Sequence, residues 1–577
     1  MNLLPLLTLV VSCQAVYADV FYVKLHQSEN LDCILLDQQT LSKYKGFATK
    51  DDGSSHALRI KTSQAVHSPA DFHQKIEDES KIIEIFARAQ EVSDAHIETL
   101  CKSVTNIPPL SVFQDNIEIQ KIVNGGDQLN RIDVVFMGDG YQLGARDQFF
   151  EDMMRLTTNM FEGVTFSSYL PLFNIWAIFV PSVDSGIGYN GPQNTPFRLY
   201  REAGQLRVIW PGNSEYARQV CRMTGLSGCD YPSLIANDDF YGGLGGEFVV
   251  STKSNRTGTV VLRHEMGHNF ADVGDEYDNS WAYFGANSAT NVVNVGWTSW
   301  LSGGPIPTEE RAIYRLLEYP WADLSLGERS FTFTSDGTYS RFYLLVSVSA
   351  AGEEDSLEFS LDGVVLPWTT QGFDDREFYD WKGDGFSQGS HNFTVRSKTP
   401  PTHETIPRMI CSVTLHEYGD ETEYHTSNDY YSAYPTWDDS ASRRKTLRPT
   451  NNGCLMRNMS STTFCSVCKE SMWLQFLEKV SLVDSLVVDP LPNPDGTKRV
   501  RLNTLKLGQL RAPGNEIDGE WLKTTWSRDG VEQVDMTDLF EVSAFPGLWT
   551  VRIELVTSEV HSDPQGLLVE TQQFTVQ

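Results

Sequence analysis

The residues best suited to chemistry lie in one run, VVLRHEMGHNFADVGDEYD, residues 260–278. His264 and His268 are four positions apart. On a helix that spacing puts both imidazoles on one face, a turn apart, so both reach a single ion at about 2.0–2.1 Å. Glu265 sits beside them, placed to hold and deprotonate a water rather than to bind the ion. A zinc ion lowers the pKa of such a water to about 7 and polarises a carbonyl. The HExxH pattern therefore points to amide hydrolysis by attack of a zinc-bound water, with Glu265 as general base. The pentapeptide also arises by chance in a chain with 12 His among 577 residues, so its surroundings must carry part of the case. Val260, Val261 and Leu262 lead in with an apolar turn, and Gly267 suits close packing beside the ion.

A third protein ligand has to come from further along the chain. Metzincins place it ten residues after the first His, past a glycine at the seventh; here those positions hold Gly274 and Ala271. The acidic residues nearby are Asp272, Asp275 and Glu276. Asp275 would lie about 16 Å from His264 along a straight helix, out of reach. The helix must therefore end and the chain fold back. Gly274, suited to a left-handed helix end, directly precedes Asp275. Asp272 is one turn beyond His268 but has too short an arm, and a capping or solvent role suits it. Glu276 has the reach, although it also suits a partner for a histidine N–H. Asp275 and Glu276 both stay open as third ligand.

The elements that would position this run follow a βα pattern from about residue 119. RIDVVFMGDGY is a short apolar strand closed by Gly138, Asp139 and Gly140. In ARDQFFEDMMRLTTNMF, Phe149, Met153, Leu156 and Met160 recur at helical spacing. LFNIWAIFVP and the glycine-led FYGGLGGEFVVST read as further strands, the latter just before the HExxH helix. GDG and GGLGG lack a following GK[ST] and read as tight turns, not phosphate loops. Residues 325–405 become strand-rich with turn residues between, as in an inserted β-sandwich set apart from the cleft. Residues 481–577 read as a second β-sandwich. Before the βα region, residues 19–118 mix a strand-like run, VFYVKLH, with a helix-like one, DFHQKIEDESKIIEIFARAQEV, and end in a linker at residues 105–116.

Four runs, in order, resemble the M64 metallopeptidases, the IgA peptidase family. They are NRIDVVFMGDGY, DYPSLIANDDFYGGLGGEFVVST, HEMGHNFADVGDEYD and NNGCLMRNMSSTTFCSVCKE, and they cover residues 119–480. The resemblance implies a multidomain protein whose catalytic unit is α+β, zincin-like and α/β/α in type. Its two parts, 119–324 and 406–480, would flank the insert. It implies His264, His268 and Asp275 as ligands of one catalytic zinc, Glu265 as general base, and Met456 as the methionine of a Met-turn beneath the metal. The glycine-rich strand would form the cleft's upper rim and pair with an extended peptide. His425, Tyr430 and Tyr431, before the Met-turn, are candidates to stabilise an oxyanion, although such loops more often simply pack. His416 and Glu417, in LHEYGD, do not form a second HExxH. The N-terminal unit would be a prodomain or a retained cap, and the lack of a dibasic site in residues 19–118 favours the cap.

Composition bounds the partners. Hydrophobic residues at 40% and aromatics at 11% are globular values. A net charge of −30, with only RRK at residues 443–445 as a basic cluster, argues against nucleic acid. The apolar run at residues 3–11, followed by small residues, reads as a secretory signal ending near residue 18, and no later run is long enough to span a membrane. Eight of the nine cysteines lie beyond it, an even number that suggests disulfides in an exported chain. A Cys33–Cys101 disulfide fits better than either thiol shielding the zinc. Cys465 and Cys468, with Cys454 and Cys411 near, offer a structural zinc site instead, which an oxidising compartment argues against. Sequons at Asn255, Asn392 and Asn458 fit a glycoprotein. The expectation is a secreted zinc endopeptidase acting on protein or peptide. The alternative is a secreted binding protein whose β-sandwiches grip glycan or protein and whose metal site is vestigial.

Overall fold

The computed structural model describes residues 20–28, 30–41, 58–64, 81–87, 90–106, 116–202, 206–225, 227–280, 282–401, 406–438 and 444–577. The signal-like run lies outside the described residues. The chain is multidomain and mixed α/β, with most regular structure in several separate sheets. Among the described residues no helix is long and apolar enough to cross a membrane.

The HExxH helix, Gly258–Phe270, belongs to a unit built on a five-stranded sheet. Its order is Val249–Thr252, Tyr231–Ala236, Ile132–Asp139, Phe173–Phe179, Glu118–Asn124. Only the last strand runs antiparallel to its neighbour. Ile132–Asp139 is buried at every position, as a strand covered on both faces must be. Its alternate side chains enter two cores. Val134 and Phe136 join the core of the helices Arg146–Phe161, Gly258–Phe270 and Ser466–Lys479, while Val135 and Met137 meet Tyr216, Ala217 and Val220 of Ser214–Cys221. Helices thus lie on both faces of the sheet, and the HExxH helix leaves directly from the edge strand Val249–Thr252. Phe149, Met153, Leu156 and Met160, the helical stripe in the sequence, are fully buried in the first core.

The inserted unit has two facing sheets. One runs Ala312–Glu318, Met409–Tyr418, Arg341–Val348, Glu377–Asp384; the other runs Arg329–Ser335, Gly389–Ser397, Leu357–Leu361, Val364–Val365. They share a core of Val346, Val413, Phe333, Phe359 and Phe393 among others. The strands span residues 312–418, wider than the expected 325–405. The reason lies in Met409–Tyr418, which is buried along its whole length and shows no polar alternation to mark it as a sandwich strand. The C-terminal strands form a three-stranded and a four-stranded sheet. Their core residues, Val500, Leu522, Trp526 and Val551, are continuous with the core under the HExxH helix.

The N-terminal unit is a five-stranded sheet with its own small core around Val23, Leu25, Ile83 and Ile85, joined by a Cys33–Cys101 disulfide. The disulfide leaves neither thiol available to shield a metal. One expectation here is overturned. Lys81–Ala87, read as part of a helix, is a strand between Leu58–Gln64 and Val20–Gln27, and the helix begins only at Gln90. KIIEIFA satisfies both periods, and pairing to two neighbouring strands decides for the sheet. Of the rest of that expected helix, residues 71–80 and 88–89 lie outside the described residues.

A candidate metal centre on the HExxH helix

Leu262, Met266 and Phe270 anchor the helix Gly258–Phe270 in the core and leave the face of His264 and His268 toward the following loop. The start of the helix is fixed from the inserted unit. Asp375 accepts from Ser254 Oγ at 2.6 Å, from the Thr257 hydroxyl, and from the Tyr241 N–H at 2.6 Å. The insert, expected to stand apart from the cleft, thus touches the start of this helix through Asp375.

The helix ends at Ala271, whose backbone is extended. The chain then folds back and delivers Asp275 to the two imidazoles. Gly274 serves this turn, but not through a left-handed conformation, which it does not adopt. It is glycine because the backbone of Ala282 and Phe284 passes where a Cβ would stand. Asn287 fastens the turn, accepting from Gly274 N–H and donating to Gly274 O, both at 2.8 Å. Asp275 N–H donates to Ala282 O at 2.8 Å, and Ser280 Oγ donates to Asp275 Oδ2 at 2.5 Å.

The imidazoles are oriented by the backbone. His264 Nδ1 lies 3.2 Å from Leu455 O and His268 Nδ1 lies 2.9 Å from Val273 O. A carbonyl only accepts, so Nδ1 carries a proton on each ring and Nε2 is the atom left to bind an ion. Those two Nε2 atoms lie 3.1 and 3.3 Å from Asp275 Oδ1. Ligands at zinc distances on a tetrahedron are about 3.3 Å apart, so the spacing of the donors fits that ion. The electrostatics agree. Burial alone would raise the Asp275 carboxyl, but His268 and His264 outweigh it and hold it far below the ordinary range. Burial would lower His268, yet Asp275 lifts it to about 9. The pocket thus draws positive charge.

Glu265 lies against Gly245, whose Cβ, if it had one, would stand 2.8 Å from Oε2. Burial pushes its carboxyl up, against the pull of His264 and His268. Met456 is fully buried beneath the helix, its Sδ 3.0 Å from where a Gly267 Cβ would stand. Asp272 is exposed. Glu276 turns away from the imidazoles: its Oε1 accepts from Asn287 at 2.9 Å and lies 3.7 Å from Cys468 Sγ. The glycine-rich rim is only partly open. Leu244 pairs with Val250, and Gly243 N–H donates to Arg207 O at 3.0 Å, so its outer edge is already bonded at Gly243.

The oxyanion candidates sit elsewhere. His425, Tyr430 and Tyr431 line a cavity of about 390 Å³ together with Glu310 and Ile306. Tyr431 bonds Ser466, and His425 bonds Glu310. His416 meets Asp278 at 3.0 Å, and Glu417 pairs with Arg315. The aromatic that does flank the site is Tyr277, its ring centroid 6.0 Å from that of His264, with Phe284 6.1 Å from His268. Tyr277 stands in the same DEY run as Asp275, and that adjacency was the available signal.

Residues 117–307 match the family model described as IgA Peptidase M64. The match takes in the whole HExxH run and stops before Met456. No curated protein matches the chain. Among solved structures, a family 35 carbohydrate binding module from Clostridium thermocellum aligns at 8% identity and a TM-score of 0.13, over 19% of this chain and 88% of that one. A GH2 beta-galacturonidase from Eisenbergiella tayi aligns at 11% identity and a TM-score of 0.12, over 43% of this chain and 35% of that one. Likenesses this weak bear on neither fold nor activity.

Proposed function

Starting from an M64 peptidase domain at residues 117–307, we propose that this protein is an exported zinc-dependent endopeptidase. The observation that carries the reading is the convergence of His264 Nε2, His268 Nε2 and Asp275 Oδ1, with both Nδ1 atoms already committed to carbonyls. These three atoms would hold the ion. Zinc, when bound, supplies a Lewis acid that polarises the scissile carbonyl and acidifies water to a pKa of about 7. Glu265 takes the proton of the attacking water and returns it to the leaving amine; its partly buried, raised carboxyl suits both transfers. Gly245 leaves the space beside Glu265 open to a substrate backbone. Tyr277, held protonated by burial and by the neighbouring Asp275, would donate its hydroxyl to a developing oxyanion. Export rests on the apolar run at residues 3–11 and on the two disulfides, Cys33–Cys101 and Cys221–Cys229.

The binding-protein reading gives no role to two imidazoles whose Nε2 atoms converge on one carboxylate. The deciding experiment measures casein hydrolysis and metal content together. A chelator should abolish hydrolysis and zinc should restore it. Glu265→Gln should keep its zinc while losing at least ~10²–10⁴-fold in rate. Near-wild-type turnover by this variant, with contaminants excluded, would overturn the mechanism.

A further inference from the structure

Four more buried metal-binding side chains lie next to this centre and take no part in it. Glu276, Cys454, Cys465 and Cys468 each offer one donor atom, all within 4.8 Å of one another. Cys454 Sγ and Cys465 Sγ lie 3.7 and 3.6 Å from Cys468 Sγ, and Glu276 Oε1 is 3.7 Å from the same sulfur. These separations are far longer than the ~2.05 Å of a disulfide. They match the ~3.8 Å edge of a tetrahedron of sulfurs bound to zinc at ~2.3 Å. Of the other five cysteines outside the signal-like segment, four pair as disulfides, Cys33–Cys101 and Cys221–Cys229, and Cys411 is buried alone; these three thiols stay unbonded although they lie side by side. Glu276 supplies a second observation: its Oε2 is buried with no hydrogen-bond partner. A fully buried carboxylate oxygen left unpaired is costly, and a cation is the partner it lacks.

We propose that Cys454, Cys465, Cys468 and Glu276 bind a second zinc ion, a structural one. The fourth place belongs to Glu276 and not to Cys411, which is buried in a different apolar patch with Phe240, Trp321 and Met409. The site would do mechanical work. Glu276 directly follows Asp275, and its N–H donates to Met456 O at 2.9 Å. Cys454 begins the turn that carries Met456, and Cys465 and Cys468 begin the helix Ser466–Lys479. One ion would therefore tie the loop of the third catalytic ligand to the turn beneath the imidazoles and to a core helix. Metal bonding would also protect the three thiolates from oxidation during export.

The proposal does not depend on the peptidase reading, and the test separates the two. The full chain, purified without added metal, should contain two zinc per molecule, and Asp275→Ala should retain one. After exchange with cobalt, the wild type should show thiolate-to-cobalt charge-transfer absorption, which two imidazoles and a carboxylate cannot give. That band should persist in Asp275→Ala and in Glu265→Gln and vanish in Cys465→Ser. Because Cys465→Ser risks misfolding, the wild type alone also decides: alkylation and peptide mapping after zinc removal should find three free thiols at Cys454, Cys465 and Cys468. A single zinc with no thiolate band, or a disulfide among these three cysteines, would overturn the second site.

Discussion

Each imidazole of the HExxH pair is useful because one of its nitrogens is already bonded. Leu455 O and Val273 O fix the two Nδ1 protons, and Asp275 gathers the two Nε2 atoms. Losing Asp275 should therefore cost more metal affinity than the 10–100-fold typical of residues that only orient ligands. Zinc content after dialysis should fall at the HExxH site in Asp275→Ala, whereas Asp272→Ala should keep it, since that side chain is exposed. Tyr277→Phe keeps the ring beside His264 and removes only the hydroxyl. If that hydroxyl meets the oxyanion, kcat should fall by about 10²-fold with zinc content unchanged; an unaltered kcat would leave Tyr277 a packing residue. Asp278 works at the same scale on stability. Burial would raise its carboxyl, but Arg457 and His416 hold it well below the ordinary range. A depressed carboxyl contributes stability above its unfolded pKa, near 3.9, and loses it as pH falls further. Thermal unfolding followed from pH 5 downward should show a shallower acid loss in Asp278→Asn, which should also be less stable at neutral pH because Arg457 stays buried without its partner.

At the scale of elements, the HExxH helix is held at its start and along its underside by chain from elsewhere. Asp375, from the inserted unit, satisfies Ser254, Thr257 and the Tyr241 N–H at its start. Asp375→Ala removes the acceptor of the Tyr241 N–H and of the buried Ser254 hydroxyl, at about 1–3 kcal/mol. The melting temperature should drop and hydrolysis should fall with it; full activity in this variant would mean the insert is a passenger. On its underside the helix has no room to spare. A Cβ on Gly267 would stand 2.7 Å from the Phe464 ring and 3.0 Å from Met456 Sδ. Gly267→Ala should cost about 1–3 kcal/mol through overpacking, read as a lower melting temperature.

The whole molecule is tied together unevenly. The C-terminal sheets share one apolar core with the unit that carries the HExxH helix, and Arg131–Asp484 and Arg511 to Ser168 O bind the two further. A chain cut after residue 480 should lose the packing of Trp473 and Val480 and fail to fold as a soluble unit, judged by gel filtration and circular dichroism. The N-terminal unit has its own core and disulfide and meets the rest through Lys24 at Asp230 O and Glu84 at Lys479. A chain beginning at residue 116 should therefore keep hydrolytic activity at much the same level. A large gain in activity on its removal would make it an inhibitory prosegment instead of a cap.

Local spacing was enough for the sequence to mark the site helix. His264, Glu265 and His268 need only a helix to share a face, and the apolar stripe from Phe149 to Met160 needs only a core. Each is a matter of period, which the chain displays residue by residue. The return of Asp275 depended on where Ala282, Phe284 and Asn287 run, and those contacts span 7 to 13 positions with no periodic signature. The sense of Gly274 was misread for that reason: a passing backbone, not a helix cap, demands it. The insert's true extent escaped because Met409–Tyr418 is buried on both faces, and KIIEIFA became a strand because two neighbours paired with it. Only tertiary structure could turn Glu276 away from the histidines and toward Cys454, Cys465 and Cys468. That choice is made by residues nearly 200 positions later in the chain, whose sulfurs meet one carboxylate only after the helices have packed.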